Sequence, residues 1–112
     1  MKNDNLEKMQ SSLVKHFLDV IVMAMMKRLS SLSGYDIIKQ VNQNLDIFVS
    51  PGTVYALLYS LERKGLARGE CTDGKRVYSL TENGEATIDE ILRSKEELFS
   101  FMRTLFEKQL II

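Results

Sequence analysis

Both ends of one helix are fixed between residues 50 and 66, and this limits the chain's folding choices more than any other feature. Ser50 is a good N-cap, since its hydroxyl can accept a hydrogen bond from a first-turn N–H. Pro51 suits the first helical position, where no N–H is needed. Val49 ahead of the cap can staple onto Val54 behind it. Gly65 supplies the left-handed backbone that closes a helix, and Leu66 can pack back on Leu61. A helix over residues 51–64 follows. After it, Leu66 to Cys71 and Arg76 to Leu80 read as strands around Thr72-Asp73-Gly74-Lys75. Asp-Gly between two such runs is a strong hairpin signal.

The segments before this unit are helical. Ser33 with Asp36 three residues later is a capping-box pattern, and Leu32 can staple onto Ile37. That predicts a helix running to about Asn44. Leu45-Asp46-Ile47-Phe48-Val49 is β-prone and is expected to add one strand. A first helix is expected from Ser11 or Ser12 to about Leu29, with a short lead-in from Asn3. Leu13, Val14, Phe17, Leu18, Ile21, Ala24, Met25 and Leu29 recur at helical spacing. Val20, Met23 and Met26 spread the apolar surface past one face, so this helix must be buried on several sides. A partner chain is the expected cover.

Thr81 opens the last helix as N-cap, with Glu82 and Glu85 favourably placed in its first turn. The helix is expected to reach about Leu110, a length of roughly 45 Å. A domain of this size has a radius of gyration of only about 13 Å, so the helix must project. Ile91, Leu98, Leu105 and Ile112 recur every seven residues, as do Leu92, Phe99 and Phe106. With Ile88 and Met102 they make a coiled-coil-like seam that requires a second chain. The dimer interface is expected to combine Phe17, Ile21 and Met25 with Ile91, Leu92, Leu98, Phe99, Met102, Leu105 and Phe106.

The order helix, helix, short strand, helix, hairpin, long helix is that of a winged helix-turn-helix. The fold class is α+β, mostly α, with an N-terminal helix and a long C-terminal dimerisation helix. Residues 1–80 form the DNA-binding domain and residues 81–112 the dimerisation helix. In such a fold the third helix enters the major groove and the hairpin, or wing, touches the adjacent backbone or minor groove. At 100° per residue, Val54, Leu57, Leu58 and Leu61 share the core face. Gly52, Ala56, Tyr59 and Arg63 lie opposite. Tyr55 and Ser60 flank them, with Thr53 and Lys64 further round. Small residues at the helix start permit close approach to base edges. Ser50 and Thr53 can hold a phosphate with the first-turn N–H groups. Tyr55 and Tyr59 can donate to phosphate, Arg63 can reach a phosphate or a guanine edge, and Lys75 and Arg76 at the hairpin tip suit phosphate contact. Each has a plainer role too. Tyr55 can fill a core edge, Arg63 and Lys64 complement the helix dipole, and Lys75 and Arg76 can belong to a solvated turn.

Charge is the main feature against nucleic acid. Fifteen basic residues balance fifteen acidic ones, for a formal net charge of zero, whereas nucleic-acid binders usually carry a basic excess. The distribution softens this. The acidic excess lies in the C-terminal third, where Arg93, Lys95, Arg103 and Lys108 face Glu82, Glu85, Asp89, Glu90, Glu96, Glu97 and Glu107. The rest is mildly basic.

The sequence resembles the PadR-like transcriptional regulators in three segments: Ser33-Gly34-Tyr35-Asp36-Ile37-Ile38, Ser50-Pro51-Gly52-Thr53-Val54-Tyr55 with Leu61-Glu62-Arg63-Lys64-Gly65-Leu66, and Tyr78-Ser79-Leu80-Thr81-Glu82-Asn83-Gly84. The resemblance covers about residues 12–92. It implies a homodimer built by the first and last helices, binding double-stranded DNA and repressing nearby genes, often released by a small-molecule effector. Ser33 stands where family members often have His, and the wing from Thr72 to Arg76 is poorer in Arg than is common there.

Other functions fare worse. His16 has no nucleophile or acid at a triad-like spacing, so no catalytic residues are assigned and the chain is not read as an enzyme. One His and one Cys, far apart, supply no metal site, and no nucleotide fingerprint is present, so no cofactor is expected. Cys71 is a single thiol with no evident activating neighbour. Met1 to Gln10 is polar, without the apolar core of a signal peptide. The stretch from Phe17 to Met26 is too short for a membrane span. A cytoplasmic protein is expected. The rival readings are a winged helix used for protein–protein interaction without DNA, and an effector-binding protein whose cavity is lined by Met23, Met25, Met26 and Phe99.

Overall fold

In the computed structural model, which describes residues 3–108, the helix and hairpin between Ser50 and Leu80 form as their caps and turn dictate. The helices are α1 (Asp4–His16), α2 (Leu18–Leu29), α3 (Gly34–Leu45), α4 (Pro51–Arg63), α5 (Glu82–Arg93) and α6 (Lys95–Glu107), and the strands are β1 (Leu32–Ser33), β2 (Ala67–Thr72) and β3 (Lys75–Leu80). Ser50 Oγ accepts from the Thr53 N–H at 3.2 Å. At the other end Gly65 has φ +74°, and the Leu66 N–H returns to the Leu61 carbonyl at 2.9 Å. The Ser33–Asp36 capping box is complete in both directions. Asp73 and Gly74 take φ of 50° and 76°, the left-handed pair of a tight hairpin turn.

Three expectations are corrected. First, the N-terminal helix is two helices that break at Phe17, whose φ and ψ are −106° and 17°. Side-chain bonds that compete with the helical backbone bracket the break. His16 Nδ1 lies 2.8 Å from the Ser12 carbonyl, and Asp19 Oδ1 accepts from the Val20 N–H at 2.8 Å. The lead-in is a full helix of its own, capped by Asn3 on the N–H groups of Asn5 and Leu6.

Second, Leu45 to Val49 is not a strand. Asp46 turns into left-handed backbone at φ 51° and closes α3. The Val49 N–H, which a sheet would use, donates instead to Asn42 Oδ1 at 2.9 Å. The third strand is Leu32–Ser33, paired antiparallel with Tyr78 and Val77 in a sheet of order β1-β3-β2. Third, the C-terminal helix is interrupted at Ser94, whose N–H is shared between the Glu90 and Ile91 carbonyls at 3.1 Å each. Such sharing tightens a helical turn locally. The part of the expected helix beyond Lys108, including Ile112 of the heptad column, lies outside the described residues.

The core lies around α2. Val22, Met23 and Met26 are buried with Ile37, Val41, Val54, Leu58, Leu61, Tyr78 and Ile88. Helix α2 contacts α1, α4, α5 and β3, so its wide apolar surface is covered largely by its own chain, not by a partner. Met23 and Met26 are therefore core residues and cannot line the cavity suggested for them. Lys27 ties α2 to α5 through Asp89 at 2.8 Å. The molecule is elongated, with extents of 55 × 33 × 24 Å. Its radius of gyration of 16.0 Å exceeds the ~13 Å of a compact domain, because α6 buries no residue among those described.

Candidate nucleic-acid interface

Helix α4 presents a continuous outward surface. Val54, Leu58 and Leu61 are buried and Leu57 is half-buried, while Gly52, Thr53, Tyr55, Ala56, Tyr59, Arg63 and Lys64 are exposed. Ser60 is half-buried on the flank. At the helix start nothing lies within 4 Å of a β-carbon built on Gly52, so this end is open to a close approach. Pro51 offers no N–H, and Ser50 takes that of Thr53, which leaves the Gly52 N–H as the outward donor of the first turn. Ser50 Oγ also shares a hydrogen bond with Thr53 Oγ1 at 2.8 Å. Further along, the Arg63 guanidinium stacks 5.1 Å from the centre of the Tyr59 ring. A pre-stacked guanidinium keeps its hydrogen-bonding edge directed outward.

The wing separates its two tip cations. β2 and β3 pair Thr72 with Lys75, Cys71 with Arg76, Gly69 with Tyr78 and Arg68 with Ser79. Directly opposed residues share a face and neighbours alternate. Lys75 and Arg68 therefore lie on one face, and Arg76 lies on the other with the buried Tyr78 and Ala67. Arg76 Nη2 reaches Glu62 Oε2 on α4 at 2.8 Å. It is not a free tip cation of the kind the sequence suggested. Arg68, overlooked in the sequence, is exposed beside β3 on the Lys75 face. Counting register outward from the Asp73-Gly74 turn is the signal that would have found it.

The start of α3 closes the surface. The Tyr55 ring lies over Gly34, and with Ser33, Tyr35, Lys75 and Arg76 it lines a cleft of about 290 Å³. Tyr35, exposed at 67%, was not singled out in the sequence; its place beside the wing depends on the β1–β3 pairing. Asp36 belongs to the same corner. The Ser33 N–H donates to Asp36 Oδ2 at 3.3 Å and the Ser33 hydroxyl accepts from the Asp36 N–H at 3.0 Å; the hydroxyl and the N–H of Ser33 beside the carboxylate hold its pKa below the ordinary value. Two of this surface's acids are thus already engaged, Asp36 by Ser33 and Glu62 by Arg76.

A second surface is apolar. Leu92, Leu98, Phe99, Phe101, Leu105 and Phe106 are exposed on α5 and α6, and Leu6, Met9, Leu13 and Phe17 on α1 and at its end. Of the other residues expected at a dimer interface, Ile21, Met25, Ile91 and Met102 are half-buried. Leu6, Met9, Leu13, Phe48 and Phe106 share the wall of an open groove of about 820 Å³. Elsewhere, Cys71 is exposed on the wing. Among the described residues no group of three or more His, Cys, Asp or Glu is placed to hold a metal, and no helix is long and apolar enough to cross a membrane.

Residues 22–90 match the sequence profile of the transcriptional regulator PadR-like family. No curated protein sequence matches the chain. Solved structures share its fold. A PadR family transcriptional regulator from Eggerthella lenta is 23% identical over 95% of this chain and 96% of its own, with a TM-score of 0.78. A PadR-like transcriptional regulator from Bacillus cereus is 19% identical over 88% and 99%, with a TM-score of 0.71. Bacillus subtilis PadR, solved in complex with operator DNA, is 24% identical over 67% of this chain and 46% of its own, with a TM-score of 0.58.

Proposed function

The chain belongs to the PadR-like family of transcriptional regulators, with more than half of its length matching the family profile, and from that premise we propose that it regulates transcription by binding duplex DNA as a homodimer. The observation that carries this reading is the outward face of α4, where Gly52, Thr53, Ala56, Tyr59 and Arg63 stand clear of the core. Tyr55 and Lys75 extend that surface to the corner beside α3, and Ser50, Ser60, Lys64 and Arg76 border it. The Bacillus subtilis neighbour, solved on operator DNA, supports the reading by fold.

The unit up to Leu80 reads DNA, and the segment from Thr81 onward joins two copies. α6 leaves its apolar residues uncovered. Burying a Leu or Phe side chain is worth about 1.5–3 kcal/mol, so pairing α6 and α1 with a second copy is strongly favoured. The two α4 helices then occupy successive major grooves about 34 Å apart, on a pseudo-palindromic operator. The mode of control is repression relieved by a small apolar effector, and the groove bordered by Leu6, Met9, Leu13, Phe48 and Phe106 offers a place for it.

The test is a binding titration against the gene's own upstream DNA and a scrambled duplex, at two salt concentrations. A regulator of this kind prefers its own upstream region and loses affinity as salt rises, because phosphate contacts release counterions. A folded dimer that binds neither duplex removes the DNA reading and favours a winged helix that docks on protein.

A further inference from the structure

The guanidinium of Arg76 crosses the wing to reach the recognition helix, and the sequence makes room for it to do so. Arg76 sits on β3 opposite Cys71, two residues before Tyr78, whose partner on β2 is Gly69. A β-carbon on Gly69 would stand 2.7 Å from Arg76 Nη2 and 2.8 Å from both Cζ and Nε. That is closer than β-carbons approach other atoms, and Nε, Cζ and Nη2 are all involved. The absence of a side chain at position 69 thus creates the passage the guanidinium occupies. The same Nη2 meets Glu62 Oε2 at 2.8 Å, and the central carbon of the group lies 5.6 Å from the centre of the Tyr78 ring. Tyr78 is buried in the core, and Glu62 lies on α4 one residue before Arg63.

We propose that Glu62 is a positioning residue for DNA binding, which through Arg76 locks the wing at a fixed angle to the recognition helix so that Lys75 reaches the backbone while α4 sits in its groove. The inference rests on the DNA-binding reading above. An acidic residue on this side of α4 would by electrostatics alone oppose DNA, yet a rigid wing is worth more than the charge it costs. α4 and the wing are also joined through the turn at Gly65, the core packing around Tyr78 and the cleft that Tyr55 shares with Lys75. The Glu62–Arg76 pair is the brace further out, toward the tip. Two residues that each look like ordinary surface charges act as one strut, and Gly69 and Tyr78 form its seat.

The sign of the effect separates this role from simple electrostatics. Glu62→Gln raises the net charge of each chain from zero to plus one, which by charge alone tightens DNA binding. A lost strut predicts the opposite. The full-length protein is titrated with a labelled duplex of the gene's own upstream region over a series of salt concentrations, beside Glu62→Gln and the charge-exchanged double variant Glu62→Arg/Arg76→Glu, which has the wild-type net charge. Glu62→Gln is expected to bind about three- to tenfold more weakly, with a shallower salt dependence as wing phosphate contacts are lost. The exchanged pair, which restores the ion pair but not the guanidinium's seat on Gly69 and Tyr78, is expected to recover part of both. Unchanged or tighter binding by Glu62→Gln at the wild-type slope overturns the proposal, as does an exchanged variant no better than Glu62→Gln. Hydrogen exchange of residues 67–80 provides a readout without DNA. Faster exchange there in Glu62→Gln, with α2 unchanged, supports the strut. Wild-type exchange rates in the variant overturn it. Should the wild-type protein bind no duplex, the DNA reading fails by itself, and the exchange experiment still decides the strut.

Discussion

Tyr55 lies against Gly34 so closely that a β-carbon at position 34 would overlap its ring, with Cε1 nearest, Cζ at 2.9 Å and Oη at 3.0 Å. The ring thus rests on the bare first residue of α3 and joins that helix start to the recognition helix. Gly34→Ala forces the ring away, although alanine is the better helix former. A loss of about 1–3 kcal/mol is expected from this overpacking, together with weaker DNA binding. Tyr55→Ala in the Gly34→Ala background should relieve the strain, giving a coupling of about 1 kcal/mol or more in a denaturant-based double-mutant cycle. Independent, additive effects would show that the ring moves aside freely.

At Gly84 no such yielding is open, since the nearest neighbour is backbone. A β-carbon there would collide with the Leu66 carbonyl oxygen. The same carbonyl accepts from the Thr81 N–H at 3.1 Å, while Thr81 Oγ1 donates to the Gly65 carbonyl at 2.6 Å and accepts from the Gly84 N–H at 3.0 Å. The end of α4, the start of β2 and the start of α5 therefore meet in one knot. Gly84→Ala is expected to cost about 2–3 kcal/mol. At fixed protein concentration this lowers the melting temperature by roughly 10–20 °C. A melting temperature within a few degrees of wild type would refute the collision.

On α6, Leu98 and Phe106 are exposed at 39% and 73% in a single chain. Replacing both with glutamate places charge in the proposed interface. Light scattering is expected to show a dimer for the wild type and a monomer for the variant at the same concentration, with circular dichroism still helical. A surviving dimer would assign pairing to another surface.

Acid should act in part through Asp36. The Ser33 side-chain and backbone hydrogen bonds depress its folded pKa. Its contribution to stability is thus complete above the unfolded-state pKa and is lost as pH falls through the lower folded value. Asp36→Asn is therefore expected to be less stable than wild type at neutral pH, with the gap closing below the carboxylate range. A gap that stays constant down the acid limb of a urea-unfolding series would exclude the capping-box carboxylate as its source.

Features encoded by adjacent residues were legible in the sequence. The Ser50-Pro51 start, the Lys64-Gly65 stop, the Ser33–Asp36 box and the Asp73-Gly74 turn each depend on local backbone demands, and each forms as expected. What depended on distant partners was not legible. Apolar spacing runs unaltered through Phe17 and Ser94, so periodicity could not reveal breaks made by single residues. The strand propensity of Ile47, Phe48 and Val49 was outweighed by one side-chain bond, Asn42 to the Val49 N–H. Leu32–Ser33 became a strand because β3 had an edge to offer. At the site, the outward face of α4 followed from the helical wheel. The inward course of Arg76 needed the hairpin register and its partner fourteen residues away on another element.

The break at Ser94 makes the C-terminal arm a lever. α6 is 13 residues long, an arm of about 20 Å at the helical rise. Changing the angle at Ser94 by about 10° moves the far end by about 3.4 Å, which is the rise of one base pair along a strand of duplex DNA. In the proposed dimer, that angle helps to set how far apart the two reading heads stand. In that dimer, substitutions at this joint would change the half-site spacing while leaving α4 itself unaltered.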